Sequence, residues 1–394
     1  SDVRKSWRMR YRMKISIIGL TKYENLGDQF IGKTVDYIVK EYGQVDTELL
    51  DFEYNKSDGN ASLWSRITWK AAYKLKLNQL ADVLLAEKYK SFYQKKLFKK
   101  LVNSDAIIFS GGSFKYGTQD VWVQYSTIID YANKHNIPVM FNAMNVQKYD
   151  ERNFKCKYLK KHLNKPCVKY FSSRDGQAGV DRLKSDYVEK NLKVLPAADP
   201  AFWIPETYHV ARNEKSNTIG INVISPDIFL RYGGKLQPED VKEAYIVLIN
   251  RLKEKNFKWQ IFTNGMRVDN IFALEIAKIC NAKEDEIHIP KSDIELASME
   301  VNYMAVFGSR LHSMICAYSL GVPVAGFIWD EKITHFAEMA KLETVFLAEN
   351  EVNGEAMFNV LMKAVQTEDN PENRIYWKET TPKAIFEFLD SIEC

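Results

Sequence analysis

Short apolar runs and longer amphipathic stretches alternate along most of the chain. Runs such as 13–19 and 106–109 are rich in Ile and Phe and end at Gly or Ser, as buried strands do. Stretches such as 121–135 and 238–255 place apolar residues at helical spacing. Strands separated by helices predict parallel βαβ units and therefore an α/β protein. The predicted strands are 13–19, 49–52, 106–109, 138–142, 170–172, 194–195, 218–223, 259–262, 304–307 and 324–328.

A polar stretch at 205–216 separates two series of these units. We therefore predict two Rossmann-like domains of similar size that face a cleft, an N-terminal domain at 1–207 and a C-terminal domain at 208–394.

The segment at about 62–102 breaks this alternation of strands and helices, and its pattern predicts a basic helical insertion. Between Arg66 and Lys100 there are ten Lys or Arg residues, only two acids and several interleaved aromatic residues. One interpretation is a basic amphipathic surface that makes a peripheral contact with an anionic membrane or a lipid pyrophosphate. The other is an ordinary helical hairpin with a solvated basic face.

Composition and charge exclude several classes of protein. The net charge of +4 is too small to predict a nucleic-acid partner. The five cysteines are odd in number and widely spaced, so they predict neither a disulfide framework nor a metal site. No apolar run has the length of a membrane span. We expect a cytoplasmic protein, located at the inner face of the membrane if the basic segment binds lipid, and no bound metal.

The segment Ser309-Arg310-Leu311-His312 carries the clearest chemistry. It follows an apolar strand and precedes a helix pattern, so it lies at the carboxyl edge of a parallel sheet, where α/β folds bind anionic ligands. Arg310 offers a planar fork for phosphate or carboxylate, and His312 can carry a proton near neutral pH. Together they suggest a phosphate-bearing substrate and proton transfer.

Further polar segments follow other predicted strands, and each has a structural alternative. Asp28 is a candidate base or the N-cap of a helix, and Arg174 is an anion ligand or half of an ion pair with Asp175. Arg310 could instead pair with an acid in the interdomain face, and His312 could be a satisfied histidine at a helix start. The glycine turn could hold an anion through its amides or serve only as a turn. The segments are Asn25-Leu26-Gly27-Asp28, Ser110-Gly111-Gly112-Ser113, Ser173-Arg174-Asp175, Asp199-Pro200, Thr263-Asn264-Gly265 and Gly326 through Lys332.

In this order and at these spacings, from about Lys14 to Lys332, the segments resemble the polysaccharide pyruvyl transferase family. The resemblance implies a two-domain fold like that of the glycosyltransferase-B class. It also implies transfer of pyruvate from phosphoenolpyruvate to two hydroxyls of a sugar, which forms a cyclic ketal. The family's arginine and histidine for phosphoenolpyruvate match Arg310 and His312, and a further arginine matches Arg174. The chain departs from the family where a third glycine is common after Gly112 and where an acid often follows Asp28.

We therefore predict an enzyme, a pyruvyltransferase that uses phosphoenolpyruvate as donor substrate and needs no other cofactor. Its acceptor would be a sugar of a surface polysaccharide or of its lipid-linked precursor. The predicted catalytic residues are His312, Arg310 and Asp28, and His312 could serve as acid or as phosphate ligand. The predicted substrate-binding residues are Arg174, Gly111, Gly112, Ser113, Asn25, Asn264 and Lys332. The alternatives are a nucleotide-sugar-dependent glycosyltransferase of the same architecture and a non-catalytic glycan-binding protein.

Overall fold

The computed structural model describes residues 12–52, 78–117, 121–190, 192–231 and 236–392. By contact, the chain forms two compact units. The first comprises residues 1–22, 35–198 and 380–394, and the second comprises residues 23–34 and 199–379. The predicted division into domains at 207 and 208 remains a prediction. The part of the predicted basic insertion at 62–77 lies outside the described residues.

The first unit is built on a seven-stranded parallel sheet with the order β2-β1-β3-β5-β6-β7, and β4 pairs with β5. Apolar runs dominate its central strands because both faces of a parallel sheet are covered. Aromatic rings fill the core: Phe109 lies 4.7 Å from Phe141 and 4.9 Å from Tyr125, measured between ring centroids. The strands are β1 Met13–Gly19, β2 Val45–Asp51, β3 Ala106–Phe109, β4 Gly112–Phe114, β5 Val139–Val146, β6 Val168–Ser173 and β7 Lys193–Pro196.

The second unit is built on a six-stranded parallel sheet with the order β10-β9-β8-β11-β12-β13. Its central strands β8 and β11 are almost wholly buried, which explains their near-continuous apolar sequences. The strands are β8 Thr218–Asn222, β9 Lys258–Phe262, β10 Ile287–His288, β11 Ala305–Gly308, β12 Val324–Phe327 and β13 Phe346–Leu347.

Helices connect successive strands in both units, except that Ser110 and Gly111 alone join β3 to β4. The predicted α/β class with Rossmann-like halves is therefore confirmed. Two of the boundaries between the units fall inside helices. One divides α1 (Leu26–Glu41) between Thr34 and Val35, and the other divides α15 (Pro371–Asp390) between Glu379 and Thr380. Among the described residues, no helix is both long and apolar enough to cross a bilayer. The helices are α1 Leu26–Glu41, α2 Asn78–Lys96, α3 Phe98–Leu101, α4 Val121–Lys134, α5 Phe154–Leu163, α6 Gly176–Arg182, α7 Ile204–Tyr208, α8 Asp227–Arg231, α9 Pro238–Glu254, α10 Arg267–Ile279, α11 Asp293–Glu300, α12 Leu311–Ser319, α13 Glu331–Ala340, α14 Gly354–Gln366 and α15 Pro371–Asp390.

Candidate functional site

The turn between β11 and α12 is held by side chains from neighbouring strand ends. The Asn222 Oδ1 accepts hydrogen bonds from the backbone N–H groups of Ser309 (3.3 Å) and Arg310 (2.9 Å). The indole N–H of Trp329 donates to the Ser309 carbonyl at 2.8 Å. Arg310 is the N-cap residue of α12, as a strand feeding a helix through a tight turn predicts. The first amides of α12 therefore point out of the carboxyl edge of the sheet, where a helix favours anions.

Arg310 forms a bidentate pair with Asp269 of α10. Its Nε and Nη2 donate to the two carboxylate oxygens at 2.8 and 2.9 Å, and the Asp269 side chain is fully buried. Burial raises the pKa of Asp269, although Arg310 and the Ser225 N–H oppose this shift. Arg310 therefore does pair with an acid, and that acid belongs to the same unit as Arg310. The guanidinium still has one nitrogen, Nη1, that does not contact Asp269 in these two hydrogen bonds.

His312 lies between two carboxylates in the first turn of α12. Its Nδ1 is 3.7 Å from Asp28 Oδ1, and its Nε2 is 3.5 Å from Asp199 Oδ2. Both separations are longer than a good hydrogen bond, and Nε2 is buried without a hydrogen-bond partner in the described part of the chain. The side chain is only 7% exposed. The alternative of a satisfied histidine at a helix start therefore does not describe His312.

The start of α1 brings Asp28 to this histidine. The helix begins at Leu26, two residues before Asp28, and the Asn25 side chain accepts from the Gly27 N–H at 3.1 Å. Asp28 therefore lies inside the first helical turn, and the interpretation of Asp28 as an N-cap is wrong. The Leu26 N–H donates to the Asn264 carbonyl at 2.9 Å, which ties this turn to the end of β9.

Gly27 allows the close approach of α1 to His312. A Cβ atom at this position would lie 2.4 Å from the His312 Cβ and 2.8 Å from its Nδ1. Real side chains essentially never show contacts below 3 Å of this kind, so any larger residue must displace the histidine or the helix.

Two further predicted residues of the second unit lie at the ends of its strands. Asn264 is fully buried, and its Oδ1 accepts from Asn222 Nδ2 at 2.9 Å, so it supports the Asn222 side chain that holds the turn. Lys332 lies in the first turn of α13, with its Nζ 5.2 Å from the centre of the Trp329 ring and 3.4 Å from Asp330. Both residues therefore connect to the Ser309–Arg310 turn through one intermediate side chain.

The backbone conformation of the glycine turn in the first unit favours glycine. Gly111 and Gly112 have φ angles of 153° and 120°, which favour glycine, and Gly112 begins the short strand β4. Ser113 follows in β4, which pairs with the end of β5. A Cβ on Gly112 would find its nearest neighbour, the Tyr125 hydroxyl, at 3.9 Å. A side-chain atom would therefore fit beside Gly112 without a steric clash.

Arg174 follows β6 and is buried. Its backbone N–H donates to the Met144 carbonyl at 3.1 Å. Burial raises the pKa of Tyr125, and the nearby positive charge of Arg174 partly opposes this shift. The neighbouring Asp175 accepts from Asn145 Nδ2 at 2.9 Å and from the Val146 N–H at 2.7 Å. Asp175 thus anchors the end of β5, which is a structural role.

Three residues beside the predicted ones were missed by sequence reasoning. The sequence did not single out Asp269, and Asp199 and Gly27 appeared only within polar segments that follow predicted strands. Asp199 does cap the following turn, because its Oδ1 accepts from the Ala201 N–H at 3.0 Å, but its other oxygen approaches His312. The recurrence of acids directly after predicted strands was the available signal for Asp199.

Comparison with solved structures identifies the fold. A putative UDP-N-acetylglucosamine 2-epimerase from Listeria monocytogenes is 9% identical, with a TM-score of 0.57 over 94% of this chain and 92% of that one. The UDP-GlcNAc 2-epimerase from Neisseria meningitidis is 10% identical, with a TM-score of 0.56 over 96% and 100%. The enzyme of that name from Methanocaldococcus jannaschii is 11% identical, with a TM-score of 0.55 over 96% and 100%. These likenesses confirm the predicted glycosyltransferase-B-like fold.

Comparison of the sequence with protein families identifies the family. A search of curated proteins found no match. The family model described as polysaccharide pyruvyl transferase matches residues 25–331, a span that begins at Asn25 and contains Asp28, Arg174, Arg310 and His312. Since this span is more than half of the chain, the chain belongs to the polysaccharide pyruvyl transferase family.

Proposed function

We propose that this protein transfers pyruvate from phosphoenolpyruvate to two hydroxyls of a sugar, within a surface polysaccharide or its lipid-linked precursor, as a cyclic ketal. Membership of the family supports a transferase. The observation that carries the proposal is His312, a buried imidazole between Asp28 and Asp199, two residues from the Arg310 fork at the start of α12.

The second unit is proposed to bind the donor through positively charged groups. Phosphoenolpyruvate carries a phosphate and a carboxylate, and the start of α12 offers amide N–H groups together with the Arg310 guanidinium. Asp269 fixes Arg310 through two nitrogens, so the planar fork is oriented before the donor arrives. Lys332, beside Trp329, is a second proposed donor ligand.

His312 is the proposed acid. A proton delivered to the methylene carbon of the donor would become part of a methyl group and leave C2 electrophilic. A sugar hydroxyl would then attack C2, the C2–O bond to phosphate would break, and a second hydroxyl would close the ketal. Two hydroxyl protons are released: one replaces the proton that was delivered, and the other leaves with the phosphate. A placed acid or base typically contributes ~10²–10⁴-fold to such a step.

The two carboxylates give His312 a way to hold and recover its proton. Asp28 is the proposed base for the acceptor hydroxyl, since its side chain is partly exposed while Asp199 is almost fully buried. Asp199 would then orient the imidazole, as a buried acid does in other acid–base pairs. If His312 instead binds the phosphate, Asp28 remains the proposed base.

The remaining predicted residues are proposed to bind the substrates. In the second unit these are Asn25 and Asn264, and Asn264 acts through the Asn222 side chain that holds the turn. In the first unit Arg174 is proposed as an anion ligand, and the open backbone of the glycine turn is proposed to bind the acceptor sugar. The turn residues are Gly111, Gly112 and Ser113.

The test is a binding titration of the full chain with phosphoenolpyruvate, set beside UDP, GDP and CMP. A ligand that binds only the native state raises the melting temperature by mass action, and calorimetry then gives its affinity. We expect stabilisation by phosphoenolpyruvate and none by the three nucleotides. Stabilisation by a nucleotide alone would overturn the proposal in favour of glycosyl transfer and make Arg310 a diphosphate ligand.

A further inference from the structure

Helix α2 of the first unit exposes apolar side chains to solvent. Leu80 is 51% exposed, Val83 is 47% exposed and Leu84 is 36% exposed. At 100° per residue these three positions fall on one side of the helix, opposite Asp82, Tyr89 and Tyr93. Single exposed apolar side chains are ordinary, but three on one helical face form an apolar patch on the described part of the first unit.

The inner face of α2 fixes the direction of this patch. Tyr89, Tyr93 and Leu97 are buried in the core of the first unit. Asp82 is 5% exposed and its carboxylate lies 3.4 Å from Lys155 Nζ of helix α5. Because the buried side chains hold α2 against the core, its outward face has a defined orientation and is preformed for docking.

Lysines follow the apolar patch along the same helix and into α3. Lys90, Lys95, Lys96 and Lys99 are exposed, and Lys90 and Lys95 flank the outward face at helical spacing. Within residues 80–102 the exposed acid is Glu87, which pairs with Lys90 at 3.8 Å. Lys95 lies about 16 Å beyond Leu84 along the helix axis, at 1.5 Å per residue. An apolar patch beside a cluster of lysines complements a surface that has both an apolar interior and a negative charge.

We propose that the outward face of α2, together with the exposed lysines up to α3, docks on an anionic membrane leaflet. Leu80, Val83 and Leu84 would enter the boundary between headgroups and acyl chains, and Lys90, Lys95 and Lys99 would meet acidic headgroups. The contact is peripheral, because α2 lies flat on the surface. It would hold the enzyme where lipid-linked sugars are found, but it does not depend on the proposed reaction.

The test is flotation of the full chain with vesicles of phosphatidylglycerol and phosphatidylcholine, compared with vesicles of phosphatidylcholine alone. At about 0.1 M salt, where screening extends over about 10 Å, we expect flotation only with the anionic vesicles. The triple substitution Lys90→Gln, Lys95→Gln and Lys99→Gln should weaken binding about fivefold per lysine, on the order of 10²-fold in total. The pair Leu80→Ser and Leu84→Ser should weaken it about tenfold or more.

A matched control tests whether vesicle binding depends on this surface or only on the net charge of the protein. Lys157, Lys161 and Lys184 are exposed lysines of the same unit, outside α2 and α3. Their change to Gln removes the same charge and should leave flotation unchanged. The proposal is overturned if the parent protein does not float with anionic vesicles, or if the control triple loses as much binding as the α2–α3 triple. It is also overturned if the leucine variants bind as the parent does. No donor or acceptor is present, so failure of the proposed reaction would leave these results unaffected.

Discussion

Two buried histidines of this chain, one in each unit, sit beside carboxylates in different ways. In the first unit, His162 Nδ1 lies 2.7 Å from the Tyr158 carbonyl and its Nε2 lies 3.1 Å from Asp130. Burial alone would raise the pKa of Asp130, but hydrogen bonds from His162 and Lys165 lower it below its usual value. In the second unit, His312 is equally buried, yet both of its carboxylate neighbours stand at 3.5 Å or more.

The difference lies in whether both ring nitrogens have close partners. Both nitrogens of His162 have close partners, so the fold gains from each and nothing is left to bind a substrate. The His312 imidazole keeps a buried nitrogen without a hydrogen bond, which costs free energy in the resting protein. A buried polar group without a partner in a native structure calls for an explanation, and a catalytic role is one of those found. The comparison therefore supports the role proposed for His312 and a packing role for His162.

The largest expected effect comes from His312→Ala compared with His162→Ala. We expect the first change to lower pyruvyl transfer by at least ~10²–10⁴-fold, because it removes the proposed proton carrier, while the fold survives. The second should lower the melting temperature and leave turnover per folded molecule near that of the parent. Turnover is measured as phosphate release with an acceptor sugar, and circular dichroism verifies the fold. Normal turnover by the His312 variant would remove it from the mechanism.

Gly27→Ala tests whether the position of His312 matters. The added Cβ would lie 2.4 Å from the His312 Cβ, so the imidazole or α1 must shift. A displacement of about 1 Å typically costs about 10²-fold in rate, and we expect a loss of kcat of that size.

Gly354→Ala is the matched control for this substitution. It creates an equal clash, 2.3 Å from the Val247 Cβ, at the first residue of α14. Overpacking should destabilise both variants by ~1–3 kcal/mol. If the two variants lose the same fraction of kcat, the effect of Gly27→Ala is one of stability and not of histidine placement.

Arg310→Ala should weaken phosphoenolpyruvate binding by ~1.5–3 kcal/mol, the usual contribution of a hydrogen bond to a charged group. It also leaves Asp269 buried without its partner, so unfolding should become easier by up to ~3–5 kcal/mol. Calorimetry at a temperature where both proteins are folded measures the affinity.

Arg212→Ala serves as the control for Arg310→Ala, since the Arg212 guanidinium donates to the Gly321 and Met304 carbonyls. It should lower the melting temperature without changing the affinity for the donor. An unchanged affinity in the Arg310 variant would place the donor elsewhere.

The last effect is on stability and not on turnover or binding, and it concerns a buried acid on the helix before β11. Glu300 is fully buried, and burial raises the pKa of its carboxyl well above the usual value, with Ser313 and Cys316 opposing only partly. The folded protein therefore keeps the proton that the unfolded chain releases above about pH 4.5. The contribution to stability is complete below that pH and declines as pH rises through the raised pKa, by up to ~1.4 kcal/mol per pH unit.

Glu300→Gln should remove this decline, because the amide carries no charge at any pH. Denaturant unfolding at several pH values from 5 to 8 should show the variant gaining stability relative to the parent as pH rises. Glu295 gives the opposite sign: hydrogen bonds from the Lys291 N–H and His288 lower its pKa, so Glu295→Gln should lose stability relative to the parent above about pH 4.5, and the difference should vanish at acid pH. Parallel curves for the parent and the Glu300 variant would contradict the assignment.

Most of the fold was predictable because buried strands have apolar sequences of the right length. The strands 13–19 and 106–109 were predicted at their observed ends. Strand β4 was missed, since Gly112-Ser113-Phe114 has no apolar run and pairs only because the end of β5 offers a partner. Such tertiary pairing overrides local preference and leaves no local signal.

The site was predictable only where the sequence itself carries the chemistry. Arg310 and His312 stand together at a strand end, so their proximity follows from two residues of spacing. The pairing of Arg310 with Asp269 joins two separate helices, and nothing in the local sequence of α10 distinguishes that acid from an ordinary first-turn acid. Gly27 could be recognised only once His312 was seen against it.

The second unit is assembled from two separate spans of the chain, and this has a consequence for protein engineering. Arg310, His312 and Asp199 belong to the span 199–379, while Asp28 and Gly27 belong to the short span 23–34. A chimaera joined at residue 198 to the C-terminal part of a homologous protein would combine the histidine of one parent with the Asp28 and Gly27 of the other. Exchange of residues 23–34 together with 199–379 would keep the residues around His312 from a single parent, and is the design that should preserve its surroundings.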